Sequence, residues 1–196
     1  MEDSCHTKIA RINVVGTSGS GKSTFCKKLS KILSLPYIEM DAIFWGPNWY
    51  WPDDEEFFAN LKNELSRDAW ILDGNYTRTI PIKWENVQMV IWLDYSFKRT
   101  LLQAVKRAFL RSLTGEELWT NTGNRESFRK SFFSKDSIIL WTVKTHKRVR
   151  KKYEQFMVNE AYSYIEFVRL RSPEGLVLAR RYSIGGESKD VSKQKV

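Results

Sequence analysis

Gly16-Thr17-Ser18-Gly19-Ser20-Gly21-Lys22-Ser23-Thr24 follows the strand-like run Lys8-Ile9-Ala10-Arg11-Ile12-Asn13-Val14-Val15 and opens a helical stretch over about residues 22–34. The nine residues match G-x-x-x-x-G-K-[ST] at every fixed position. Glycines at this spacing let the backbone wrap an anion, so that successive N–H groups and a helix N-terminus point at it. In such a loop Lys22 reaches the β- and γ-phosphates of a nucleotide and the Ser23 hydroxyl ligates Mg²⁺. A strand before and a helix after are the context that separates the motif from a chance turn. Residues 16–24 are therefore expected to bind ATP with Mg²⁺.

Further along, Leu35-Pro36-Tyr37-Ile38-Glu39-Met40-Asp41 has the pattern of a short strand ending on an acid. Pro52-Asp53-Asp54-Glu55-Glu56 is a helix start, continued at helical spacing by Phe57, Phe58, Leu61 and Leu65. Trp70-Ile71-Leu72-Asp73 is a brief buried strand stopped by Gly74, and Val87-Gln88-Met89-Val90-Ile91-Trp92-Leu93-Asp94 a longer one. A basic helix over about 97–112, a Gly/Thr/Asn-rich stretch to Asn124, a second basic helix over about 134–157, a strand over 163–170 and a short helix after Pro173 complete the pattern. The polar run from Gly185 to Val196 is expected to be a disordered tail, leaving residues 1–184 as one domain. Strands alternating with helices predict a parallel sheet between two helix layers, an α/β/α sandwich. Acids and glycines at the carboxyl ends of the strands mark the edge where an open α/β sheet receives its ligand.

With 196 residues, 42% of them hydrophobic and 14% aromatic, the chain supports one packed core and is not a disordered polymer. Cys5 and Cys26 have no metal-ligand spacing, which fits a reduced, cytoplasmic setting. Met1-Glu2-Asp3-Ser4-Cys5-His6 lacks the blocks of a signal peptide. No apolar run approaches the roughly 20 residues that span a bilayer, so no membrane partner is expected. The net charge of +9 is concentrated: residues 98–152 hold 15 Lys and Arg against 4 Asp and Glu, a balance of +11. Such a block suits nucleic acid, an anionic surface or the phosphates of a small ligand, or is simply a solvated helix face.

Asp41, Asp73 and Asp94 each close a strand-like run, and a P-loop protein needs one such acid for its metal. On the length of its apolar run Asp94 is the better candidate; any of the three can instead be a turn or helix-cap residue.

The sequence resembles a nucleoside or nucleotide kinase of the adenylate-kinase type, and within that class the adenylate-kinase-like relatives of the DNA topology modulation protein. The resemblance is carried by residues 16–24, by Trp70-Ile71-Leu72-Asp73-Gly74-Asn75-Tyr76-Thr77-Arg78-Thr79, which is similar to the D-G-F-P-R-T segment of nucleotide kinases with one residue more, and by Asn124-Arg125-Glu126-Ser127 and Trp141. It implies a five-stranded parallel sheet of order 2-3-1-4-5, which puts the Asp73 strand beside the P-loop strand and makes Asp73 the first metal-side acid and Asp94 the second. It also implies that Arg78 grips the acceptor, and that Arg107, Arg111, Arg125 and Arg129 belong to a basic lid over about 107–133 that clamps the transferring phosphoryl group. Guanidinium forks suit the dispersed charge of that transition state. Lys144, Lys147, Arg148, Arg150, Lys151 and Lys152 lie beyond such a lid.

Phe44-Trp45-Gly46-Pro47-Asn48-Trp49-Tyr50-Trp51-Pro52 places five aromatic residues in the region where related kinases receive the acceptor. Trp45 and Trp49 can stack on an acceptor or form a small core that holds the loop. Gly74, Asn75, Tyr76 and Arg78 complete the expected substrate contacts, and Asp41 is the candidate general base for a hydroxyl acceptor. The expected function is transfer of the γ-phosphoryl group of ATP to a small molecule. The rival is an ATP-binding regulator that touches nucleic acid through its basic block, although no nucleic-acid-binding motif accompanies it.

Overall fold

Five parallel strands, β1 (Arg11–Gly16), β2 (Tyr37–Glu39), β3 (Trp70–Asp73), β4 (Met89–Leu93) and β5 (Glu166–Leu170), hydrogen-bond in the order β2-β3-β1-β4-β5 in a computed structural model that describes residues 9–115, 117–119, 122–125 and 137–173. That is the expected order. Within it, Val14 lies in register with Asp73, and Gly16 with Leu93. The P-loop therefore leaves the sheet between the carboxyl ends of β3 and β4.

The central strands β1, β3 and β4 are buried on both faces, as a parallel sheet covered by helices requires. Successive side chains alternate between two cores. Trp70, Leu72, Val90 and Trp92 pack with Phe57, Leu61, Trp84 and Tyr153. Ile71, Met89, Ile91 and Leu93 pack with Phe25, Cys26 and Leu29. The second core is covered by α1 (Lys22–Leu33), and the first by α3 (Asp54–Leu65), α4 (Ile80–Lys83) and α6 (Ile138–Met157). A one-turn helix α2 (Met40–Phe44) follows β2, and α5 (Phe97–Thr114) packs along α6. Side-chain caps start three of these helices: Asp53 accepts from the Glu56 N–H, Ser96 from Arg99 and Ser137 from Ile139.

Several boundaries differ from expectation. β2 stops at Glu39, so Asp41 sits in the first turn of α2 and not at a strand end. β5 starts at Glu166 and not at Ser163, because the Ser163 and Ile165 N–H groups bond back to the Glu160 and Tyr162 carbonyls and hold the preceding residues in a turn. Helices α2 and α4 are too short to leave a periodic signal. The expected helix after Pro173, the tail, the start of the second basic helix and the lid residues from 126 on, with Arg129, lie outside the described residues. No described helix is long and apolar enough to cross a membrane.

Candidate functional site

The loop between β1 and α1 is built to hold an anion. Gly21 occupies the N-cap position of α1 at φ 86°, a left-handed conformation natural to glycine, and no side chain caps the helix. No acid lies in its first turn either. The first N–H groups of α1 thus point outward without a side-chain acceptor, unlike those of α3, α5 and α6. Gly19, at φ 81°, is pressed against α5: a Cβ there would stand 2.7 Å from the Ala104 Cβ and 2.9 Å from the Thr100 carbonyl. The Ser20 Oγ is buried with no hydrogen-bond partner among the described residues. Lys22 lies across the loop, its Nζ donating to the carbonyls of Gly16 (3.1 Å) and Thr17 (3.3 Å).

β3 delivers Asp73 to this loop. Its side chain accepts hydrogen bonds from Ser23 and from the Tyr37 hydroxyl (3.2 Å). Burial raises its pKa above the ordinary carboxylate value, and Lys22 and the Ser23 hydrogen bond pull against that rise. Glu39, at the end of β2, is raised by burial and by the Asp73 charge. Ser23, Asp73 and Lys22 form one cluster of a hydroxyl, a carboxylate and an ammonium, the donor set that a magnesium triphosphate takes.

The turn after Asp73 is fixed by a buried polar network that the sequence pattern does not disclose. Asn13, wholly buried in the middle of β1, donates through Nδ2 to the carbonyls of Leu72 and Gly74, each at 3.0 Å, and its Oδ1 accepts from the Trp84 indole at 2.9 Å. Asn75 Nδ2 in turn donates to the Gly16 carbonyl at 2.9 Å. Gly74 has no room for a side chain, since a Cβ would fall 2.5 Å from the Met40 sulfur. Lys83, 0% exposed, donates to the same Gly74 carbonyl at 3.4 Å.

Asp94 is placed differently. Its Oδ1 accepts from Arg150 Nε at 2.7 Å and its Oδ2 from Arg169 Nε and a terminal nitrogen at 2.9 and 2.6 Å. Arg169 also reaches Glu154 and lies 4.4 Å over the Trp92 ring. Both oxygens of Asp94 are therefore committed to joining β4, β5 and α6.

On the other side of Asp73, the Tyr76 hydroxyl donates to Asp41 Oδ1 at 2.7 Å and also hydrogen-bonds the Trp45 side chain. Burial and the Asp41 charge push the Tyr76 pKa up, so the phenol stays a donor. Arg78 is ion-paired with Asp54 at 2.9 Å and lies over the Phe44 and Phe57 rings. Trp45 and Trp49 meet edge to face at 5.6 Å, and Trp119 stacks on Trp45 at 6.3 Å. The four rings Trp45, Trp49, Trp51 and Trp119 thus form a partly exposed cluster, with Trp51 63% exposed. Asn124 clamps this cluster: its Oδ1 accepts from the Trp49 N–H at 2.8 Å and its Nδ2 donates to the Gly46 carbonyl at 2.9 Å. Asn48 and Trp49 are held at φ 54° and 60°, a left-handed pair that an unclamped chain would leave. The loop after β2 and the segment Glu117–Arg125 are consequently one unit.

Of the arginines expected in a lid, Arg107 and Arg111 are half-buried one turn apart on α5, and Arg125 is exposed where it bridges Glu117. On α6, Lys144, Lys147, Arg148 and Lys151 face solvent. Lys152 instead turns inward, its Nζ donating to Thr77 Oγ1 at 2.6 Å, and burial lowers its pKa.

No family model matches the chain, and no curated protein matches it in sequence. Solved structures do match. One is a shikimate kinase from Acinetobacter baumannii in complex with shikimate, at TM-score 0.57 and 14% identity over 92% of this chain and 96% of that one. Another is a gluconokinase from Sinorhizobium meliloti 1021, at TM-score 0.48 and 15% identity over 91% of each chain. At such identities the likeness is one of fold: this chain has the three-layer P-loop architecture that the shikimate kinase has, with the sheet order β2-β3-β1-β4-β5.

Proposed function

We propose that the protein is an ATP-dependent phosphotransferase that moves the γ-phosphoryl group to a hydroxyl of a small acceptor. The observation that carries this reading is the cluster of Lys22, Ser23 and Asp73 beside the uncapped start of α1. Bound there by Ser23 and Asp73, Mg²⁺ would neutralise charge on the β- and γ-phosphates. The loop amides and Lys22 hold the triphosphate, and Arg107, Arg111 and Arg125, with Arg129, are the cations of the lid. The kinship with the DNA topology modulation protein relatives stays part of the proposal, resting on Asp73-Gly74-Asn75-Tyr76 and Asn124-Arg125.

Asp94 has no metal role in this reading, because Arg150 and Arg169 take both its oxygens. Asp94→Asn should lower stability by about 1–3 kcal/mol, discounted from a fully buried pair because both arginines are partly solvated. It should leave Mg·ATP affinity within about twofold, whereas Asp73→Asn should weaken that affinity with little loss of stability. Calorimetric titration and denaturant unfolding of both variants separate the roles; the reverse pattern would return the metal to Asp94.

The carboxylates Glu39, Asp41 and Asp73 lining this side, and the capture of Arg78 by Asp54, favour a hydroxyl acceptor over a nucleoside monophosphate. Asp41 is the general base, with Tyr76 holding Oδ1 so that Oδ2 takes the proton. Asp41→Asn should cut acceptor-stimulated ADP formation about 100-fold with ATP affinity unchanged. A coupled ADP assay across a panel of polyols, hydroxy acids and nucleosides finds the acceptor and tests the variant; ADP release that no acceptor stimulates, or tight salt-sensitive DNA binding in its place, would overturn the kinase reading.

A further inference from the structure

Lys83 is a lysine in a place that ordinarily rejects one. It is fully buried at the end of α4, and among the described residues its one hydrogen bond is the long 3.4 Å contact with the Gly74 carbonyl. The charged groups that set its surroundings are both cations, Lys22 from α1 and Lys152 from α6. From α3, which packs on α4, Asp54 is occupied by Arg78. Among the described residues no carboxylate offsets the ammonium, and burial with these neighbours brings the Lys83 pKa down to about 7.

That hydrogen bond lies on the path to the P-loop. The Gly74 carbonyl that Lys83 and Asn13 share precedes Asn75, whose amide is fixed on the Gly16 carbonyl, and Gly16 also receives Lys22. Lys83 is thus two hydrogen-bonded residues from the loop and within the field of Lys22. A polyanion on residues 16–24 would engage Lys22 and reverse the sign of the field that Lys83 feels. That change favours the charged ammonium, whose hydrogen bond to Gly74 is stronger than that of a neutral amine.

We infer that Lys83 is a positioning residue of the phosphate site, taking a proton from solvent when a polyanion binds the P-loop and tightening the Gly74-Asn75 turn against Gly16. The inference rests on the reading that residues 16–24 hold a triphosphate. Nothing in the transfer chemistry requires it, for Lys83 touches neither phosphate nor acceptor.

The experiment is calorimetric titration of the full chain with Mg·ATP at pH 7.5 in buffers of different ionisation enthalpy, on wild type and Lys83→Met, which keeps the side-chain volume. The expected result is that wild type takes up about half a proton more than the variant on binding, and that its affinity gains relative to the variant as pH falls from about 8 to 6. Lys147→Met, at a solvent-exposed position of α6, serves as the control and should keep the uptake. Equal proton uptake by wild type and Lys83→Met, with binding intact in both, overturns the inference alone. Failure of wild type to bind Mg·ATP at all overturns the triphosphate reading together with it.

Discussion

Lys22→Met is expected to lower acceptor-stimulated ADP formation by roughly 10³-fold or more, the scale on which a single cation serves the dispersed charge of phosphoryl transfer. The loss is one of catalysis and not of folding. Among the described residues, Lys22 Nζ bonds only backbone carbonyls, those of Gly16 and Thr17, and Gly16 keeps the Asn75 amide when the lysine is gone. Methionine preserves the stem of the side chain, so unfolding free energy should move by no more than about 0.5 kcal/mol. Mg·ATP affinity should fall far less than turnover, because the loop amides and the start of α1 still face the phosphates. A variant that retains a tenth of wild-type turnover would take Lys22 out of the charge-stabilising role and leave the loop as a binding site without transfer.

The fold was legible because its signals are local. The glycine loop, the alternation of apolar runs with helical periods and the glycine or acid that ends β1, β3 and β4 all fall within windows of ten residues. From them the sandwich follows, and the resemblance supplied the strand order. Where the reading slipped, a short-range hydrogen bond had overridden the pattern. The Ser163 and Ile165 N–H groups, bonding back to Glu160 and Tyr162, delayed β5 to Glu166, and the Trp45 N–H bonding back to the Asp41 carbonyl made a one-turn helix of the residues after β2.

The site was legible only in part, since the same local pattern serves opposite ends. Asp94 closes a more apolar run than Asp73 does, yet its partners Arg150 and Arg169 lie 56 and 75 residues away and no window on the sequence holds all three. Asn124 was visible as a family-like residue, but its clamp on Gly46 and Trp49 spans 78 and 75 residues. The aromatic loop shows the limit of composition: five rings in nine positions fit a stacking platform and a small core equally, and the contact of Trp45 and Trp49 with Trp119 comes from a far segment that no local window holds. Asn13 and Lys83 had one available signal, a polar residue inside an otherwise apolar element, and that signal says only that a partner exists.

Lys83 carries the largest effect on stability. Its pKa falls from 10.5 to about 7 on folding, so below pH 7 the folded chain holds a buried ammonium that the unfolded chain hydrates freely. The cost is about 5 kcal/mol at most, at about 1.4 kcal/mol per pKa unit. Between pH 7 and 10.5 the unfolded state binds the proton and the folded state does not, so this contribution makes wild type more stable as pH rises, and it levels off on either side. Lys83→Met removes the charge and keeps an unbranched apolar stem beside Trp84, while the Gly74 carbonyl retains its Asn13 donor at 3.0 Å. The variant should therefore be more stable than wild type by several kcal/mol at pH 6, with the margin shrinking by roughly 1 kcal/mol per pH unit toward pH 9. Urea unfolding of both proteins at pH 6, 7.5 and 9 measures it. A margin that stays constant with pH would mean that Lys83 does not titrate in the folded state; a destabilised variant would mean that the 3.4 Å contact with Gly74 outweighs the burial of its charge. The expected outcome, a chain made firmer by removing a buried cation, would show that Lys83 is kept at the expense of stability, as residues that serve a binding site often are.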